Sequence, residues 1–139
     1  MIFINYWGIV GAAIASMIVG MLWYGPIFGR QWKRMMGFSE SDMKKMPLTA
    51  SQAICGGAVT ALVMACVLAA DAYAWGSFIG ESGTASFAFM LAFWHWLGYV
   101  AMTQAGSFLW EGRSFKLFAF NAAESLVAMF AMTLVLTFA

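Results

Sequence analysis

The chain has 139 residues, 63% of them hydrophobic and 9% charged, with a formal net charge of +1. A soluble domain carries about 25% charged residues, so this composition excludes a water-facing surface over most of the chain and makes the lipid bilayer its solvent. A net charge so close to zero gives no electrostatic case for nucleic acid.

Four apolar stretches, at about residues 6–28, 52–74, 86–110 and 115–138, follow one another with short polar gaps between them. Each has about the 20 residues needed to cross a hydrocarbon core of about 30 Å. They use nearly the whole chain. The expected fold is therefore all-α: a single four-span domain over residues 1–139, an up-down bundle of four transmembrane helices. A short interfacial helical segment is expected between the first two.

The first ten residues, MIFINYWGIV, contain no Lys or Arg, whereas a secretory signal needs a basic start. The apolar run continues past Ala13-Ile14-Ala15 to Trp23, so it reads as a retained helix. Gly25-Pro26 ends that helix, because proline lacks a donor and restricts the residue before it. Trp23, Tyr24 and Trp32 are amphipathic aromatics suited to a membrane surface. Residues 30–36 mix Trp32, Met35 and Met36 with Arg30, Lys33 and Arg34, as a helix lying along the interface would. Ser39 followed by Glu40 and Asp42 reads as a helix start. Thr49 with Gln52 is a capping-box pattern opening the second span.

The second gap, residues 73–85, is rich in Gly and Ser and reads as an outer hairpin carrying Trp75 and Phe78. Its acidic residues are Asp71, at its edge, and Glu81. The third gap, residues 111–114, is tight enough to make the third and fourth helices antiparallel neighbours. All 7 basic residues fall in the other two gaps: Arg30, Lys33, Arg34, Lys44 and Lys45 in the first, Arg113 and Lys116 in the third. The positive-inside rule then places those gaps in the cytoplasm and both termini outside. The expected location is a bacterial cytoplasmic membrane.

Small residues recur every fourth position at Gly8, Ala12, Ser16 and Gly20, and again at Ala53, Gly57, Ala61, Ala65 and Ala69. Such ladders let helix backbones approach in lipid. They are expected to bring the first two helices face to face, or to join two chains. Cys55 and Cys66 lie on one helix, about 16 Å apart, too far to bridge.

Ionisable groups inside a membrane are costly and mark candidate sites. Two fall within the spans, His95 and Glu124. At a rise of about 1.5 Å per residue, His95 lies about 3 Å outward of the midplane and Glu124 about 4–5 Å inward. Gln104 and Asn121 match in depth. Thr103, Gln104, Asn121 and Glu124 are therefore expected to form one polar cluster, either a hydrogen-bonded clasp or a solute, ion or proton site. His95 stands between Trp94 and Trp96. It has no second histidine and no carboxylate one turn away, so one chain offers no ordinary zinc site. Ligation of a haem or chlorophyll-type group by His95 is the alternative; otherwise no cofactor is expected. No nucleophile-elbow, zinc-protease or phosphate-loop sequence is present, and the expectation is a protein that is not an enzyme.

Several stretches resemble the bacterial membrane family known as domain of unknown function 1761. They are N-Y-W-G-I-V at residues 5–10, L-W-Y-G-P-I-F-G at 22–29 with Trp32 after it, M-G-F-S-E-S-D-M at 36–43, and W-E-G-R-S-F-K-L-F at 110–118 with Asn121 after it. The resemblance implies a small four-helix membrane protein without an established activity, and supplies no substrate. The family pattern carries a neutral pair where this chain has Ala123-Glu124, which makes Glu124 a feature of this chain. The matching motifs put Trp23, Tyr24, Gly25, Pro26, Trp32, Glu111, Arg113 and Lys116 together at the cytoplasmic face. There they either anchor helix ends or bind an anionic headgroup or solute.

Three functions fit these observations: a homo-oligomeric channel or transporter for a small solute or ion, an accessory subunit packed against other membrane proteins, or a cofactor binder using His95. Membrane lipids are expected partners of each. Cysteine labelling of intact cells checks the topology. A cysteine near Gly80 is expected to react with an impermeant reagent added outside, and one at Lys44 is not. Outside labelling at position 44 would reverse the assignment.

Overall fold

Hydrocarbon offers no partner to a backbone N–H or C=O, so a chain this apolar must satisfy those groups within helices. The computed structural model describes residues 5–139. Residues 1–4, the beginning of the start without Lys or Arg, lie outside the described residues. Four helices are long and apolar enough to cross a membrane: α1 (Tyr6–Ile27), α4 (Ala50–Ile79), α5 (Ala85–Leu109) and α6 (Phe115–Phe138). Two short ones, α2 (Gly29–Met36) and α3 (Glu40–Lys44), connect α1 to α4. Among the described residues there is no strand.

Helix starts follow from side chains that accept from otherwise unpaired amides. Asn5 Oδ1 accepts from the Gly8 amide at 3.0 Å. Thr49 and Gln52 form the expected reciprocal box. Ser39 and Asp42 form another, and the Ser39 amide, then its hydroxyl, hold the Asp42 carboxyl below its usual range. Thr84 and Ser114 cap α5 and α6 by accepting from Phe87 and Leu117 amides, each at 3.1 Å.

The break in α1 has an identifiable cause. Gly25 leaves the helical region at φ −110° and ψ −107°, and Pro26 follows it. The chain closes a wider turn in which the Phe28 amide donates to the Trp23 carbonyl at 3.0 Å. Gly29 then begins α2, with its backbone against the Tyr24 carbonyl. A Cβ at Gly29 would lie 2.9 Å from that oxygen. This explains the final glycine of W-Y-G-P-x-F-G: the next helix starts too close to the previous one to admit a side chain. Along α2, Arg30, Gln31, Lys33 and Arg34 are exposed while Trp32, Met35 and Met36 are half-buried, as an interfacial helix requires. Gly37, at φ 70°, ends it.

Helix α4 extends beyond the expected span of residues 52–74, to Ile79, before Gly80 at φ 70° stops it. Asp71 is therefore a helix residue eight positions from that end, and not a loop residue. It joins His95 and Glu124 as an ionisable group within the spans.

The core joins Ile9, Ala12 and Ala13 of α1 to Ala61, Ala65 and Leu68 of α4, Ala92 of α5, and Met129 and Met132 of α6. Helix α1 packs between α4 and α6, and α6 packs between α1 and α5. The ladder on α4 does face α1: Ala61 and Ala65 are buried, and a Cβ on Gly57 would touch Met17. The ladder on α1 is divided: Ala12 joins the core with Ala61 and Ala65, whereas a Cβ at Gly20 would meet Glu124 Oε1 of α6 and one at Gly8 would meet Asn5 and then Ala139. Off the ladder, a Cβ at Gly11 would meet Val135 of α6. A four-residue spacing specifies a face but not the helix that covers it.

Two short hydrogen bonds tie α5 to α6. Thr133 Oγ1, fully buried, donates to the Ala88 carbonyl at 2.8 Å. The Trp96 indole donates to the Ala122 carbonyl at 2.7 Å. By contrast, the backbones of α4 and α5 stand apart despite their short connection. Ser82 and Phe87 close over Gly76 near the hairpin, and below that a cleft separates the two helices.

Alanine at Gly29 is expected to destabilise the protein by about 1–3 kcal/mol, because backbone cannot yield as a side chain does. Alanine at Gly56, where nothing lies within 4 Å, is expected to be neutral or stabilising by up to about 1 kcal/mol. Thermal unfolding in detergent reads both. Equal stability of the two variants would contradict the close approach.

Candidate functional site

Tyr24 and Trp32 of the W-Y-G-P-x-F-G stretch meet Gln104 and Asn121 of the expected polar cluster around one cavity. It has a volume of about 580 Å³ and is lined by Tyr24, Trp32, Met36, Gln104, Ser107, Phe118 and Asn121. The break after Tyr24 turns α2 back so that Trp32 packs edge-on against the Tyr24 ring, at 5.6 Å between centroids. Tyr24 Oη donates to Asn121 Oδ1 at 2.8 Å, across 97 residues of sequence. That bond joins the W-Y-G-P motif of α1 to the asparagine of α6. Trp23 lies against Phe28 and Phe120, and its indole N–H is buried without a partner among the described residues.

Gln104 contributes to the cavity wall but makes only a long contact, accepting from Ser125 Oγ at 3.5 Å. Thr103 is not part of the cluster. It is exposed, and its hydroxyl donates to the Tyr99 carbonyl of its own helix. Glu124 shares a helix face with Asn121, three residues away. Its carboxylate lies beside Gly20 of α1, half-buried, and has no hydrogen-bond partner among the described residues. A larger residue at position 20 would occupy the space beside it.

On the other side of the α1 break, Gly25, Pro26, Ile27, Arg30, Gln31 and Arg34 line a second cavity of about 530 Å³. Arg30 and Arg34 are one turn apart, so both guanidinium groups serve the same wall. Glu111, Arg113 and Lys116 are exposed around the α5–α6 turn. There Gly112 takes φ 69° and the Arg113 amide donates to the Ser107 carbonyl at 3.0 Å.

His95 belongs to neither cavity. It faces the cleft between α4 and α5. Its Nδ1 donates to the Leu91 carbonyl at 2.8 Å, and its Nε2 lies 2.8 Å from Asp71 Oδ2. Both ring nitrogens are thus engaged, and neither could ligate an iron or magnesium without giving up a hydrogen bond. Sequence reasoning missed this partner because it counted Asp71 with the outer gap. The signal lay in the apolar residues after it, Tyr73, Trp75, Phe78 and Ile79, which prolong the span.

The fold and these buried polar groups define a multi-pass helical membrane protein with ionisable side chains held inside its spans. The model of the family described as Protein of unknown function (DUF1761) matches residues 7–137, nearly the whole chain, and the chain belongs to that family. No curated protein and no solved structure matches it.

Tyr24→Phe removes one hydrogen bond and is expected to cost about 1 kcal/mol. Asn121→Leu leaves the Tyr24 hydroxyl unpaired in a low-dielectric site and is expected to cost more, about 1–3 kcal/mol. Unfolding of the two variants in detergent checks the order. A harmless Asn121→Leu would contradict the Tyr24–Asn121 link.

Proposed function

We propose that the protein is a homo-oligomeric channel or transporter for a small solute or ion in a bacterial cytoplasmic membrane, with both termini outside and no catalytic chemistry of its own. The observation that carries the reading is Glu124. A carboxylate in a membrane span without a partner is expensive unless water or a solute reaches it. This one lies beside Gly20 of α1 and one helix turn from Asn121, whose side chain accepts from Tyr24 and lines a cavity together with Gln104 and Ser107. Four helices enclose little volume, so a continuous path is more readily completed between copies of the chain than within one.

The Arg30–Arg34 cavity supports a second part of the reading. Paired guanidinium groups at an inner surface suit an anionic lipid headgroup, which would hold the α1–α2 break in place. An accessory-subunit role draws on a different observation, the stripe of Val59, Val63 and Val67 along α4, 60%, 60% and 55% exposed. A subunit of that kind would co-purify with other chains, whereas the proposed transporter purifies as copies of itself.

Glu124→Gln keeps size and hydrogen-bonding capacity and removes the negative charge. In proteoliposomes carrying proton- and cation-sensitive dyes, the variant is expected to lose flux at least about tenfold while unfolding within about 1 kcal/mol of the parent. Flux unchanged by the substitution would overturn the proposed path.

A further inference from the structure

The cleft between α4 and α5 has a volume of about 750 Å³, and its walls include Asp71, Trp75, Trp94, His95, Gly98, and Tyr99. Helix α6 supplies its apolar floor through Met129. Small-molecule sites typically run from about 300 to 1,000 Å³ and combine apolar walls with a few convergent polar groups. Trp75, Trp94 and Tyr99 remain 49%, 62% and 74% exposed, so their rings rim an opening and do not fill the core. Trp75 stands one turn from Asp71 on α4, and Tyr99 one turn from His95 on α5, its ring 6.2 Å from the imidazole. One acidic group in a cleft that three electron-rich rings also line is an arrangement suited to a positive charge on an apolar body.

The hydrogen bonds of the pair also count its protons. A carbonyl only accepts, so His95 Nδ1 carries a proton toward Leu91. The contact between Nε2 and Asp71 needs a second proton, borne by the ring or by the carboxyl, because two lone pairs would repel. The pair therefore holds one proton more than a neutral imidazole beside a carboxylate, and is neutral as a unit. Among the groups lining the cleft, Asp71 from α4 and His95 and Tyr99 from α5 are titratable, and α6 adds none.

We infer that this cleft is a binding site for a lipophilic organic cation, and that the cation takes the place of the proton shared by Asp71 and His95. A cation seated on the carboxylate removes the acceptor that holds this proton. It would also leave two positive charges side by side in a low-dielectric cleft. One cation enters, one proton departs to water, and the charge of the site is unchanged. The site is separate from the inner cavity at Glu124, and its binding chemistry stands whether or not that cavity conducts.

The test is titration of the purified full chain in detergent with tetraphenylphosphonium. Binding is followed by quenching of tryptophan fluorescence and by calorimetry in two buffers of different ionisation heat, which counts protons released. Saturable binding with close to one proton released per cation is expected near neutral pH. The neutral triphenylphosphine oxide should bind at least about tenfold more weakly and release none. Asp71→Asn should weaken cation binding roughly a hundredfold. Trp94→Ala leaves the Asp71–His95 pair in place, and should weaken binding about tenfold with the proton count unchanged; this variant keeps the test decisive if Asp71→Asn fails to fold. Glu124→Gln should bind like the parent, and a parent chain that binds the cation but carries no flux in proteoliposomes would contradict the proposed path and leave this site standing. Equal affinity for the neutral analogue, or undiminished binding by both cleft variants, would overturn the site. Binding without proton release would overturn the exchange.

Discussion

The close approach of α1 and α6 is the contact on which the rest of the structure depends. Lipid tails give helices no hydrophobic reason to associate, so the contact has to come from backbone shape. Gly11 and Gly20 contribute to it, each facing a side chain of α6, Val135 and Glu124, where a Cβ would be. With α6 seated there, α4 packs chiefly on α1 and to a lesser extent on α6, and α5 packs on α6. The flanking helices meet each other little along their length, and the cleft lies between them.

The same contact places the polar groups. Because α6 lies along the glycine side of α1, Asn121 reaches Tyr24 and Glu124 comes to rest beside Gly20. Because α4 and α5 stand apart, Asp71 and His95 meet across open space and not within a packed core. The first arrangement leaves a carboxylate without a partner, and the second gives a carboxylate a partner that can lose its proton. A bilayer penalises both unless each is neutralised, solvated or used. Their retention in a chain with so few charges is the physical basis for reading function into them.

Much of this architecture was legible in the sequence. Hydropathy and length located the four spans, and capping residues such as Thr49 with Gln52 marked starts that the structure reproduces. The Gly25-Pro26 break and the amphipathic α2 also follow from local chemistry, since both depend on neighbours in the chain. The pairings of groups distant in sequence did not follow. The α1 ladder specifies a face of small residues, but no periodicity reveals that Ala12 joins the core with α4 while Gly20 meets Glu124 of α6. Tyr24 and Asn121 were both noticed, in different motifs, and nothing in either motif says that they touch. The Gly- and Ser-rich gap after Asp71 gives that residue the look of a loop edge. The helix in fact runs eight residues further, to Ile79, and carries Asp71 to the depth of His95, 24 residues away. Thr103 was grouped with the cluster by depth alone, and its rotation about α5 turns it away.

The central pair can be tested directly by a cross-link. A Cβ at Gly11 would lie 3.1 Å from Val135 Cγ1, so the two positions face each other closely enough to be probed by a disulfide, whose Cβ atoms stand about 3.5–4.5 Å apart. In a chain with Cys55 and Cys66 replaced by serine, Gly11→Cys combined with Val135→Cys is predicted to oxidise to an intramolecular disulfide in membranes, visible as a faster-migrating monomer that reverts on reduction. A folded double variant that stays reduced under the same oxidant, or that forms only links between chains, would contradict the packing of α1 on α6 from which both polar sites follow.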